Sequence, residues 1–136
     1  MSIEIALQKA IWTRLGESSD LPALYENVPQ KDGQINADWP FVSIGDDTHA
    51  PWDTDDSVGS ESTITIHAWA RYGGRAAVKA IQAVIYELLH RHELDLEVEG
   101  FSAVAVEFEY SEALEDPDGV TWHGVQRFRI YIERPV

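Results

Sequence analysis

Hydrophobic positions recur along the chain with two different periods. Between residues 3 and 15 they fall at Ile3, Leu7, Ile11 and Leu15, with Ala10 beside them, which is the spacing of one helix face. Ser2 stands where a capping hydroxyl belongs, Glu4 suits the first turn and Gly16 can end the helix. A second helix is predicted over 75–91. Val78, Ile81, Ile85 and Leu88 form its buried stripe, widened by Ala77, Val84 and Leu89, while Lys79, Gln82 and Glu87 take the wet side. His90 and Arg91 suit its negative C-terminal end.

Elsewhere the period is two. Residues 40–48 alternate weakly, with Val42 and Ile44 on one face, and 24–28 predict a short strand. Residues 61–72 alternate clearly. Ile64, Ile66, Ala68 and Ala70 point one way; Thr63, Thr65, His67, Trp69 and Arg71 point the other, and Gly73-Gly74 ends the run. Residues 17–22 and 29–38 are polar and turn-rich, and 49–59 and 93–100 read as acidic connectors. The last third predicts a hairpin: runs 101–116 and 120–134 flank Pro117-Asp118-Gly119, whose glycine suits a left-handed position. With Asp116 opposite Val120, Val104 faces Ile132, Val106 faces Ile130 and Phe108 faces Phe128. On the other face Glu107 meets Arg129 and Glu109 meets Arg127.

Helix, strands, helix and hairpin in that order predict an α+β fold. An antiparallel sheet of about four to five strands carries two helices packed on one face and closes with a C-terminal β-hairpin. Residues 1–136 form a single domain, and 44% hydrophobic content is enough for a core. No apolar run is long enough to cross a membrane and the N-terminus lacks a basic-then-apolar leader, so a soluble, unexported protein is expected. Absence of cysteine removes disulfides and thiolate chemistry. The net charge of −14 argues against binding a nucleic-acid backbone, which requires Lys and Arg to displace counterions. It fits simple solubility, or a surface that repels or imitates nucleic acid.

No motif carries catalysis. Asp53-Thr54-Asp55-Asp56 opens like a calcium loop, but Val58 stands where Gly is needed and Ile64 where a bidentate Glu is needed. The five histidines are scattered; His67 and His123 can meet only if the fold brings them together. Ser, His and Asp occur without a nucleophile elbow, and Gly73-Gly74-Arg75 lacks the glycine spacing and lysine of a phosphate loop. No catalytic residue, cofactor or metal is therefore expected. The polar sheet face gathers His67, Trp69, Glu107, Glu109, Arg127, Arg129 and Tyr131, a composition suited to contacts between proteins. Candidate partner or oligomer contacts are Trp52, Asp53, Asp55 and Asp56 on the first acidic connector and Trp69, Arg71, Arg127 and Arg129 on that face. Trp52 either anchors such a contact or folds back on its own domain.

Several motifs recur in an order that points to a known family. Pro40-Phe41-Val42-Ser43-Ile44-Gly45-Asp46-Asp47-Thr48 precedes Trp52-Asp53-Thr54; His67-Ala68-Trp69-Ala70-Arg71 precedes Gly74-Arg75 and Lys79-Ala80-Ile81. Asp116-Pro117-Asp118-Gly119, His123-Gly124 and Arg127-Phe128-Arg129 follow. This set resembles the tail completion proteins of long-tailed bacteriophages and gene-transfer particles, also described as tail terminator or head–tail joining proteins. The resemblance implies a non-enzymatic virion assembly protein without cofactors, assembled in the bacterial host cytoplasm and resident in the virion tail. It implies a ring of identical subunits, usually six (a hexamer), that caps the tail tube protein, ends tube polymerisation and faces the head connector protein. DNA would pass through the ring without specific binding, and no membrane is involved. A rival reading is an acidic DNA mimic that inhibits a nucleic-acid enzyme. Against it, the acids cluster in loops, and several strand acids stand opposite arginines.

Overall fold

Alternating polar and apolar residues over more than a dozen positions make long strands, and the sheet is built on two of them. In the computed structural model, which describes residues 2–136, the elements run in the order α1 (Ile3–Gly16), β1 (Ala23–Tyr25), β2 (Gln30–Lys31), β3 (Gln34–Ile35) and β4 (Phe41–Pro51). Then come β5 (Ser57–Arg71), α2 (Gly74–Leu89), a 3-10 turn (Glu93–Asp95), β6 (Ser102–Glu115) and β7 (Thr121–Pro135). β5 and β7 pair antiparallel along their whole length, from Ser57 with Pro135 to Arg71 with Thr121. The five-stranded sheet has the order β1-β4-β5-β7-β6, and β2 and β3 form a separate two-stranded ladder. One pair, β1 with β4, is parallel; the other pairs are antiparallel, so the architecture is the expected α+β one.

Both helices lie where their stripes predict. Ser2 Oγ accepts the Ile5 N–H at 3.2 Å and caps α1. Leu7, Ile11 and Leu15 from α1, Val78, Ile81 and Ile85 from α2, and Ile64, Ile66, Phe128, Ile130 and Ile132 from the sheet join one buried cluster. Gln82, placed on the wet side by its polarity, is buried instead. Its Nε2 donates to Glu112 O at 3.1 Å and Val125 O at 3.4 Å, which satisfies the amide beneath the sheet. Leu88, placed in the stripe, is only half-buried.

The strands differ from expectation where their pattern is polar. The connector expected over 49–59 shrinks to residues 52–56, because β4 runs on to Pro51 and β5 starts at Ser57. This polar extension is held by side chains that bond each other across the strands, Thr48 with Thr63 and His49 Nδ1 with Ser62 Oγ at 2.8 Å. The stretch 29–38 holds the β2–β3 ladder.

The closing hairpin keeps its predicted register only in the middle, where Val106 faces Ile130, Glu107 faces Arg129 and Phe108 faces Phe128. A bulge between Ala103 and Ala105 puts Ala103, not Val104, opposite Ile132; a second between Phe108 and Tyr110 leaves Glu109 unpaired and sets Tyr110 opposite Arg127. At the turn, Asp116 N–H donates to Thr121 O at 2.9 Å, so Asp116 meets Thr121 rather than Val120 and the loop has one more residue than expected. Asp118 explains the longer loop. Its carboxylate accepts the Thr121 hydroxyl at 2.5 Å and the N–H groups of Val120 at 2.9 Å and Thr121 at 2.8 Å, and these bonds, the hydroxyl's first, hold its pKa below the ordinary value. Gly119 has the left-handed φ of 76° that the turn requires.

Candidate assembly surface

Residues paired across neighbouring strands share a face, so the ladders fix which side chains meet on the side away from the helices. Phe41, Trp69 and His123 form one row, Ser43, His67 and Val125 the next, followed by Thr65 with Arg127 and by Thr48, Thr63 and Arg129. Ala50, Glu61 and Tyr131 form the row nearest the β4–β5 turn. Alternation alone had put Trp69, Arg71, Arg127 and Arg129 on this face, and they lie there together.

One end of the face is aromatic. Trp69 stacks on His123 with ring centroids 3.7 Å apart and on Phe41 at 5.9 Å; Phe41 also packs edge-on against Trp39 at 4.8 Å and Tyr25 at 5.7 Å. Arg71 closes this cluster, its guanidinium 4.0 Å above the Trp39 ring and its Nε donating to Thr121 Oγ1 at 3.2 Å. Phe41 is thus buried on the face opposite the helices. His67 Nδ1 lies 2.6 Å from His123 Nε2, so one ring donates and the other accepts. Burial pushes both pKa values down. The second ring adds repulsion at His123, lowering it to about 4, while Asp46 and Asp116 partly oppose the shifts of His67 and His123 respectively. Both shifts favour the neutral ring. His67 also sits against Gly45, where a Cβ would collide with its Nε2.

The other end is charged and internally paired. Arg129 bonds Glu109 through Nε and reaches Glu61 Oε1 through Nη1 at 2.9 Å; Glu61 Oε1 also accepts the Tyr131 hydroxyl at 3.2 Å. The Glu109 carboxylate raises the Arg129 pKa, and burial raises that of Tyr131. Arg127 Nε lies 2.9 Å from Glu109 Oε2, an ion pair by distance whose N–H points off the carboxylate. The bulge at Glu109 is what lets one carboxylate serve both arginines.

Asp53, Asp55 and Asp56 sit apart from this face, at the β4–β5 tip, while Trp52 at the base of the tip reaches its last row. The tip is braced from within: Trp52 N–H donates to Gly59 O and Thr54 N–H to Ser57 O, each at 3.0 Å, and Asp53 Oδ1 accepts the Gly59 N–H at 2.9 Å. Trp52 folds back, its ring 5.0 Å from that of Tyr131, while the three aspartates are exposed. His123, Trp39 and Glu61 were missed as members of the surface. They become visible only once the β5–β7 register and the path into β4 are known. Among the described residues, no three His, Asp or Glu side chains converge in a way that could hold a metal ion. Among the same residues, no helix is long and apolar enough to cross a membrane.

The chain is thus an α+β domain with helices on one face of its sheet and a self-paired polar face on the other. Residues 9–133 match the family described as tail completion protein gp17, and the chain belongs to that family. It is 33% identical over 129 residues to the tail completion protein gp17 of Bacillus phage SPP1, covering 93% of this chain and 92% of that protein. Its fold is shared with a chain from the virion of the native gene transfer agent (GTA) particle, with a TM-score of 0.84, 21% identity and 98% of each chain covered. Family membership assigns the chain a structural part in phage tail assembly.

Proposed function

We propose that this protein caps the phage tail tube as a ring of identical subunits, ends tube polymerisation and offers the joining surface to the head connector. It assembles in the host cytoplasm, resides in the virion tail, and lets DNA pass through its opening without specific binding. It acts through contacts and not through catalysis. The observation that carries this reading is the family match across residues 9–133, which takes in the second half of α1, all of α2 and nearly all of the sheet. An acidic surface supports the passage of DNA, since carboxylates repel the phosphate backbone. The DNA-mimic alternative loses support from the polar face, where Glu61 and Glu109 are bound to arginines and form no free row of charges.

Negative-stain micrographs of the purified protein mixed with tail tubes test the reading. Rings seated on tube ends and an end to further tube growth are expected. Bare tubes that continue to elongate would sink it.

A further inference from the structure

We propose that the groove between α2 and the outer edge of β6 seats the acidic β4–β5 tip of a second copy of this chain. The inference rests on the ring reading above and names its contact. β6 is the last strand of the sheet, so its outer edge has no strand partner. The C-terminal end of α2 covers part of that edge: Arg91 N–H donates to Val106 O at 2.8 Å, and Phe108 N–H to His90 Nδ1 at 3.0 Å. Beyond Phe108 the strand parts from the helix, and a groove opens between them.

The groove wall on α2 is basic in a chain that is otherwise strongly acidic. Arg75 and Lys79 stand one turn apart on its rim, both exposed, and neither has a carboxylate within ion-pair distance among the described residues; Arg75 lies 4.9 Å from the Trp122 ring centroid, and the one carboxylate in the lining is Glu112 on the facing strand. The first turn of α2 holds no acidic residue, so nothing offsets the positive end of the helix dipole there. Gln126 lies beneath, only 2% exposed. Its Nε2 donates to Gln82 O at 3.0 Å, but its Oε1 is buried without a hydrogen-bond partner.

The β4–β5 tip has the complementary chemistry. Asp53, Asp55 and Asp56 are exposed, no cation pairs with them among the described residues, and internal hydrogen bonds already fix their backbone. A rigid acidic knob loses little conformational freedom on docking. It cannot reach its own groove. Gln126 pairs with Ile66, and the stretch of β5 from Ser57 to Ile66 separates tip from groove by roughly 30 Å at the rise of a strand. Tip and groove are different surfaces, so their contact is head-to-tail, the type that closes into a ring when the rotation between copies permits.

The chain has no cysteine, which makes the test clean. Asp55→Cys and Lys79→Cys are placed in one full-length chain, mixed with tail tubes and treated with a short bis-maleimide. A ladder of covalent multimers ending in a closed species is expected, whereas each single variant stops at the dimer. In parallel, Arg75→Glu/Lys79→Glu should reduce tube capping at least tenfold, and mixing it with an Asp55→Lys/Asp56→Lys chain should restore capping. All four positions are exposed, so folding is retained. A double-cysteine chain that caps tubes yet stays uncrosslinked, or couples only to the tube protein, would overturn the groove contact and leave the ring standing. Wild-type protein that neither forms rings nor caps tubes would remove both.

Discussion

Gly124 is where the sheet and α2 come closest, and Gly124→Ala tests that packing directly. The residue lies on β7 between Ala68 and Ala113, with no side chain separating it from the helix. A methyl group there would lie 2.6 Å from Gln82 Nε2 and closer still to Val78 Cγ1. Val78 is fully buried, so it cannot swing away. Overpacking of this kind costs about 1–3 kcal/mol. Pushing Gln82 aside also strains its bonds to Glu112 O and Val125 O, each contributing about 0.5–1.5 kcal/mol. The reduced freedom of the unfolded chain returns about 0.5–1 kcal/mol. The net loss is about 2–4 kcal/mol. For 136 residues the unfolding entropy is about 0.29 kcal/mol per kelvin, so the melting temperature should fall by about 7–14 °C. Urea and thermal unfolding followed by circular dichroism give both numbers. Adding Val78→Ala should restore part of the loss, because the two changes share one space. An unchanged midpoint for Gly124→Ala would mean that α2 does not pack this closely on β7, and the floor of the α2–β6 groove would need redrawing.

Gly119→Val forces a β-branched residue into a φ of 76° with open space around it, so strain alone acts; a loss of about 1–2 kcal/mol is expected in the denaturation midpoint. His123 titrates at about 4 in the fold against an ordinary 6.5, so the unfolded chain protonates first as pH falls. Its stabilising contribution is whole above pH 6.5 and is lost progressively toward pH 4. Solvent screening of the half-exposed ring limits it to about 1–2 kcal/mol, and His123→Phe should flatten the acid limb of stability against pH. Trp52→Ala should destabilise the free protein by about 2 kcal/mol through lost packing on Tyr131; an unchanged melting temperature with lost tube capping would assign Trp52 to an intersubunit contact instead. Duplex DNA at physiological salt should show no band shift, and a shift that weakens as salt rises would reveal a basic surface.

The parts of the fold legible in the sequence are those where burial sets the pattern. Ile3, Leu7, Ile11 and Leu15 mark α1, and Ile64, Ile66, Ala68 and Ala70 mark β5, because one face of each meets the core. The second half of β4 carries no such mark. Thr48 and His49 are held by hydroxyl and imidazole bonds to β5, and polar pairing leaves the alternation of a loop. Bulges were invisible for a related reason. An extra residue at Glu109 changes the register of everything toward the turn, while the apolar positions near Phe108 and Phe128 still match. On the polar face, alternation grouped Trp69 with Arg71 and Arg127 with Arg129, but their partners required long-range register. Nothing local to Trp69 says that His123 stacks on it, nor that Arg129 reaches Glu61.

Where the unpaired charges lie decides how such a chain can assemble. At a net −14, two copies repel as whole molecules, yet at physiological salt the screening length is about 8 Å, so charges farther apart than that scarcely interact. Contact is then governed by the groups that actually meet. The polar face offers little, because Arg127 and Arg129 already hold Glu61 and Glu109, while Arg71 lies over Trp39. Separating those pairs to bind a partner would leave half-desolvated charges behind, a loss that new contacts must first offset. The helix-covered face is spent on the core. Among the described residues, the groups without an ion-pair partner include Arg75 and Lys79 on the rim of α2 and the aspartates of the tip between β4 and β5, while β6 is the edge strand of the sheet. The proposed tip-to-groove contact would join neighbours edge to end, the head-to-tail arrangement that closes into a ring when the rotation between copies permits.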